Sequence, residues 1–213
     1  RSLLRSMMPS AGLPPVYEEP FWREGKYVAG VDEVGRGALA GPVVAAAVIL
    51  PLGWIPSIAV RDSKALTPRQ RQRLAGYLQQ CALAYAFGWV DAVLIDTLNI
   101  ARATLLAMEQ AVAALPLTPE YVFVDGPVFP AVELPGRALI DGDQRCLSIA
   151  AASVLAKVAR DRWMIDVADL RYPEYGFARH KGYGTPQHWD ALRRYGPCAL
   201  HRRSFLRHLE ETP

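Results

Sequence analysis

Five acidic residues stand where their carboxylates can gather round a cation: Asp32, Glu33, Asp125, Asp141 and Asp143. Each follows a short apolar run with strand character. Asp32-Glu33 closes residues 27–31, Asp125 closes 121–124, and Asp141 and Asp143 follow 138–140. Three strand ends would thus offer carboxylates to one edge of a sheet, where open α/β sheets place their sites. Crowded like charges repel unless a cation lies among them, and an all-oxygen donor set suits Mg²⁺ or Mn²⁺ rather than Zn²⁺. Neighbouring side chains on a regular strand face opposite ways. For Asp32 and Glu33 to serve one site the chain must bend just after them, which Gly35 and Gly37 permit. Taken singly, Asp125 and Asp143 read as turn residues; their joint occurrence with Asp32-Glu33 is what points to a site.

Gly35-Arg36-Gly37-Ala38-Leu39-Ala40 fits the dinucleotide-binding pattern G-x-G-x-x-[GA], with Asp62 about twenty residues on. The helix that this pattern requires is missing, because Gly41-Pro42 and a Val-rich run follow. Two carboxylates directly before the glycines would also repel a pyrophosphate. The other use of the loop is direct: its backbone can approach a ribose 2′-OH, which both donates and accepts, while Arg36 holds a phosphate. Two rival readings are a nicotinamide- or flavin-binding enzyme and a non-catalytic nucleic-acid-binding module.

These residues need a scaffold. Strands are expected over 27–31, 43–50, 85–90, 121–124 and 138–140. The run 43–50 is apolar throughout, as in a strand buried on both faces. Thr67-Pro68 is a helix start, Thr as N-cap and Pro in the first turn, for a helix to about residue 81. Leu98, Leu105, Met108 and Val112 mark a helix over 96–115, closed by Pro116. Residues 146–156 are apolar nearly all round, so that helix should lie buried against the sheet. Residues 172–184 are expected to form a loop, and 186–195 and 204–210 helices. The pattern is an α/β mixed sheet, preceded by a loose extension over 1–20.

Composition sets the broad class. The chain is 51% hydrophobic and 21% charged with a net charge of +3, enough for one packed domain of ordinary balance. Charge is unevenly spread: between Arg171 and His208 eight Lys or Arg face two acids, and 61–73 is also basic. Basic segments framing an acidic centre suit a polyanion held over a metal site. Cys81, Cys146 and Cys198 have no metal-ligand spacing, which fits a reduced, cytoplasmic protein. Residues 1–10 lack the apolar core of a signal peptide. Residues 38–60 are uncharged and long enough to span a bilayer, but Pro42, Pro51, Gly53 and Pro56 break them.

The segment Val28-Ala29-Gly30-Val31-Asp32-Glu33-Val34-Gly35-Arg36-Gly37 resembles the opening signature of bacterial ribonuclease HII. Leu39-Ala40-Gly41-Pro42-Val43-Val44 continues it, as do Asp62-Ser63-Lys64 and Val124-Asp125-Gly126. SIAAASVLAKVARD (148–161), YPEYGFARHKGY (172–183) and His201-Arg202-Arg203-Ser204-Phe205 complete it. The resemblance runs over about 26–206 in unbroken order. It implies an RNase H-like fold, a mixed five-stranded sheet flanked by helices, over 21–213, with a C-terminal helical part from about 171. It implies metal binding by Asp32, Glu33, Asp125 and, in the place before the Ser-Ala-rich helix, Asp143, with Asp141 a nearby competitor. It further implies that Gly35, Arg36 and Gly37 read the 2′-OH, that Tyr183 packs on the following sugar, and that Lys64 contacts a phosphate. Lys181 and Arg203 are further candidate substrate contacts, and His180 is expected to touch phosphate from a loop. Asp161 is assigned a structural ion pair with Lys157. The implied activity is two-metal cleavage, with Mg²⁺ or Mn²⁺, of RNA/DNA hybrids and of single ribonucleotides in duplex DNA by a monomer without membrane attachment.

Overall fold

The computed structural model describes residues 12–61 and 63–206. Asp62, His208, most of the expected N-terminal extension and the end of the helix expected over 204–210 lie outside them.

A short helix α1 (Glu19–Arg23) leads into β1 (Val28–Val34), followed by β2 (Val43–Ile49), α2 (Pro68–Cys81), β3 (Ala84–Val90), α3 (Ala92–Leu98) and α4 (Ile100–Ala113). Next come β4 (Tyr121–Asp125), β5 (Gly136–Leu139) and the long helix α5 (Leu147–Trp163), continued by one π-helical stretch, Met164–Asp169. Two further helices, α6 (Phe177–His180) and α7 (Pro186–Tyr195), lie in the C-terminal part. The five strands form one mixed sheet in the order β3-β2-β1-β4-β5. Strand β2 is antiparallel to both its neighbours, whereas β1, β4 and β5 run parallel.

The all-apolar β2 is buried at every residue because helices cover both faces. Val43, Ala45 and Ala47 join the cluster under α4, while Ala46 and Val48 join that under α5 and α2. Helix α2 begins as its sequence predicts: the Thr67 side chain accepts from the Gln70 N–H, Gln70 answers at the Thr67 N–H, and Pro68 follows. Helix α5 lies so tightly on β1 that a Cβ at Gly30 would fall 2.1 Å from the Ser148 carbonyl carbon. That approach sets the depth of the site, since Asp32 stands two residues further along the same strand.

Four expectations are corrected. The helix expected over 96–115 is two helices, α3 and α4, divided at Asn99. Asn99 takes a positive φ of 70° and accepts from the Arg102 N–H as the cap of α4. Its apolar spacing runs on through the break, so periodicity gives no warning. The loop expected over 172–184 contains a 3₁₀ turn (Pro173–Tyr175) and α6. The described part of the expected loose extension is tied down. Leu13 N–H bonds Val60 O, and Glu18 is fully buried. One Glu18 carboxylate oxygen accepts from Ser148 N–H and Oγ, both at 2.7 Å, and from the Cys146 thiol. A carboxylate there caps α5 and meets the positive end of its dipole. Of the expected 204–210 helix, the described part is a 3₁₀ turn, Arg203–Phe205. No helix among the described residues is long and apolar enough to cross a membrane.

Two glycines should respond oppositely to one methyl group. Gly30→Ala drives its Cβ into backbone and is expected to cost about 1–3 kcal/mol. Gly76→Ala, inside α2 with nothing within 4 Å, should gain about 1 kcal/mol. Chemical denaturation of both variants checks the pair; equal midpoints would refute the tight α5–β1 contact.

Candidate active site

The site grows from the parallel pair β1 and β4. Their register ends at Val31 opposite Val124, while β1 continues against β2 through Val34. One residue past the last pair, Asp32 and Asp125 stand side by side. Asp32 is buried and accepts from the Glu33 N–H at 2.7 Å. The chain bends just after Asp32-Glu33, at the first of the two glycines the sequence offered for it. Strand β1 runs on to Val34, and the turn comes at Gly35, whose φ is 90°. Glu33 shares the site, because β4 has ended beside it and leaves room for its carboxylate. One oxygen from each of Asp32, Glu33 and Asp125 lies within 4.8 Å of the others.

Asp143 enters from the turn after β5. Asp125 Oδ1 accepts from Gly142 N–H at 2.6 Å and from Asp143 N–H at 3.4 Å, which ties this turn to the cluster. Asp141 takes a left-handed conformation and is exposed, whereas Asp143 is buried. Burial therefore separates the two, although Asp143 is not among the residues that line the cleft. Lys64 Nζ lies 3.2 Å from Asp143 Oδ2.

The electrostatics are unfavourable without a cation. Burial pushes the Asp32 carboxyl well above its usual range, and the charges of Glu33, Asp125 and Asp143 push it further. Glu33 is also raised, chiefly by burial and then by Asp125, with Arg36 acting in the opposite direction. Hard oxygen donors, crowded together with Asp32 buried and Glu33 and Asp125 half-buried, fit a divalent ion of the Mg²⁺ or Mn²⁺ type.

Above the acids lies a cleft of about 340 Å³. Asp32, Glu33, Gly35, Arg36, Lys64, Asp125 and Tyr183 all line it. Gly37, Lys181 and Arg203 do not. The Lys181 ammonium donates to Ala178 O, and exposed Arg203 reaches Pro197 O at 3.3 Å. His180 is buried with both ring nitrogens engaged by backbone, so the expectation that it contacts phosphate is corrected. Lys157 pairs with Asp161 at 2.8 Å as the helix spacing implied.

Sequence reasoning passed over two arginines that build the loop. Arg202, fully buried, donates to Gly35 O (2.7 Å), Arg36 O (2.9 Å) and Gly41 O (3.0 Å). Arg160, also fully buried, donates to Pro42 O, Ala40 O and Lys181 O. Among the described residues neither guanidinium forms an ion pair. Burial and the neighbouring Arg160 push Arg202 down to about 9. The carbonyls of Gly35, Arg36, Ala40, Gly41 and Pro42 are therefore turned toward these arginines. Gly35 is required here a second time, since a Cβ would meet Arg160 Nε at 2.2 Å. Both arginines sit inside motifs noted in the sequence, but only burial separates Arg202 from its exposed neighbour Arg203.

Comparison with known proteins gives the arrangement a lineage. The family model described as Ribonuclease HII matches residues 29–208. A ribonuclease HII of Geobacillus thermodenitrificans is 53% identical over 191 residues, covering 89% of this chain and 72% of the relative. One from Thermus thermophilus is 50% identical over 188 residues, 88% of this chain and 90% of that one. The crystal structure of the ribonuclease H2 from Pyrococcus horikoshii OT3 superposes with a TM-score of 0.74 at 30% identity, covering 87% of this chain and 97% of that chain. The five-stranded mixed sheet flanked by helices is thus the RNase H-like fold, and the chain belongs to the ribonuclease HII family.

Proposed function

We propose that this ribonuclease H-type hydrolase cuts the RNA strand of RNA/DNA hybrids and single ribonucleotides embedded in duplex DNA, on the 5′ side of the ribonucleotide. The products are a 3′-OH and a 5′-phosphate, and the biological use is removal of misincorporated ribonucleotides. The observation that carries the reading is the convergence of Asp32, Glu33 and Asp125 oxygens within 4.8 Å at the floor of a cleft with cationic walls.

Asp32, Glu33, Asp125 and Asp143 would hold two divalent ions, Mg²⁺ or Mn²⁺. When bound, these supply an activated water and neutralise charge on the leaving 3′ oxygen. The chain's own part is recognition and alignment. Arg36 and Lys64, on opposite sides of the acids, hold phosphates and supply salt-sensitive, sequence-independent affinity. With the Gly35 and Arg36 carbonyls turned toward Arg202, the backbone of Gly35, Arg36 and Gly37 meets the ribose 2′-OH, the group that distinguishes RNA from DNA. Tyr183 offers a flat apolar face to the next sugar. Lys181 and Arg203 belong to the outer basic surface, where they act on the duplex at longer range. One chain supplies the full set of acids, so a monomer suffices.

Two experiments test this. On a duplex with one embedded ribonucleotide, Asp125→Asn should bind but cut about a hundredfold or more slowly, with cleavage mapped to the 5′ side. Near-normal cutting would remove Asp125 from the chemistry. The second is a stability measurement. An acid with a raised folded pKa stabilises the fold below its unfolded value, 3.8 for Asp32, and that contribution is lost as pH rises through the folded value. The metal-free protein should therefore carry a penalty at neutral pH that Mn²⁺ relieves. Asp32→Asn should raise the metal-free Tm by roughly 2–4 °C and abolish most of the Mn²⁺-induced increase. A variant that loses stability without metal and keeps the full Mn²⁺ response would contradict the crowding argument.

A further inference from the structure

Three histidines of the C-terminal part meet in one buried group, none of them facing the acids. His188 and His201 touch through their Nε2 atoms at 3.0 Å, and the rings of His180 and His188 stack with centroids 4.2 Å apart. Their partners fix every proton. Tyr183 O can only accept, so His188 Nδ1, 3.0 Å away, carries hydrogen and donates. The Cys198 backbone N–H can only donate, so His201 Nδ1, at 2.9 Å, is bare and accepts. Between the two Nε2 atoms His201 must then donate and His188 accept. By the same logic His180 donates from Nε2 to Tyr175 O and accepts at Nδ1 from Gly182 N–H. Each ring is neutral in a single tautomer, and each bare nitrogen already faces an N–H. A second proton on any of them would break a bond of the chain.

The bonds end on Gly182 and Tyr183, the two residues that carry the aromatic wall of the cleft. Gly182 O also accepts from Leu39 N–H at 2.8 Å, which joins this segment to the glycine loop. We propose that His188 and His201 are positioning residues for substrate. Their proton-ordered chain, from Cys198 N–H through two imidazoles to Tyr183 O, fixes the backbone of Tyr183 and hence the place of its ring against the sugar. The inference rests on the substrate-facing role proposed for Tyr183.

The surroundings keep the chain neutral. The groups facing the pair are His180 from α6, the Tyr175 phenol, the Cys198 thiol and Arg203, with Lys181 and Asp169 acting on His180. Burial pushes His188 and His201 down to about 4, and the neighbouring histidines add to the fall. A histidine depressed in this way stabilises the fold above its unfolded value of 6.5. That contribution is lost as pH falls through about 4.

The first test uses the intact protein without substrate. Imidazole ¹⁵N shifts at neutral pH should show His188 as the Nδ1–H tautomer and His201 as the Nε2–H tautomer, neither charging above about pH 5. The reverse tautomers, or ordinary titration near 6.5, would overturn the proposal whatever the activity. The second is a cycle on the one-ribonucleotide duplex. His188→Phe keeps the ring packing but not the bonds, and should raise KM about tenfold with a smaller change in kcat. His188→Asn, whose amide can still donate to Tyr183 O, should recover part of that loss. Combined with Tyr183→Ala, His188→Phe should add less than about twofold, because both act through one contact. Fully additive losses would overturn the positioning role. If Tyr183→Ala alone left KM at the wild-type value, the reading of Tyr183 would fail first and the positioning claim with it. The ¹⁵N result would still stand as a measured property of the fold.

Discussion

Repulsion among buried carboxylates is the constraint round which this molecule is arranged. Asp32 is held under the surface beside Glu33 and Asp125 by the ending of one parallel strand pair. A sheet edge of this kind brings the acids together without regard to their charge, and the hydrophobic burial of β1, β2 and β4 supplies the force. Arg36, 3.6 Å from Glu33, offsets part of that repulsion. The nearest cations, Arg36 and Lys64, approach from the rim. The floor thereby presents hard oxygen donors, and the rim presents cationic side chains.

The two fully buried guanidiniums solve a second problem. A loop of glycines is permissive and would sample many shapes, yet a cleft wall of fixed form demands one. Arg160 and Arg202 impose it from beneath by collecting five of the loop's carbonyls, from Gly35 to Pro42. Burying two cations without acidic partners is costly in isolation. Here the charge is spread over several carbonyl dipoles of the loop, so the cost of one feature offsets the disorder of the other. The histidine group does similar work on the opposite wall, with neutral rings in place of charges.

Local rules were readable in the sequence, and orientation was not. Thr67-Pro68 announced α2 because capping depends on adjacent residues alone. The apolar run of β2 and the small-residue face of α5 announced burial on both sides. Asn99 broke a helix whose apolar spacing was continuous, because the break depends on one side chain turning back to cap. Asp143 could be told from Asp141, and Arg202 from Arg203, only when burial was known; each pair has the same charge one or two residues apart. Lys181 and His180 lie in a basic, aromatic stretch that reads as phosphate-binding, but the tight turn through α6 directs both into backbone contacts. Family resemblance pointed to four acids, of which Asp32, Glu33 and Asp125 converge in the structure. It said nothing of the arginines that shape the loop above them.

The bond from Glu18 to the start of α5 joins positions 130 residues apart. During synthesis from the N-terminus, the segment that carries Glu18 must wait until Ser148 has been made before it finds its partner. Until then the hairpin of β1 and β2 lacks α5 on one side, and that apolar face is open to water. Such long-range closure slows folding and lengthens the time for which a nascent chain is prone to self-association. The same closure makes the finished domain behave as one unit, in which loosening the first helix also uncaps the helix that supports the acidic floor.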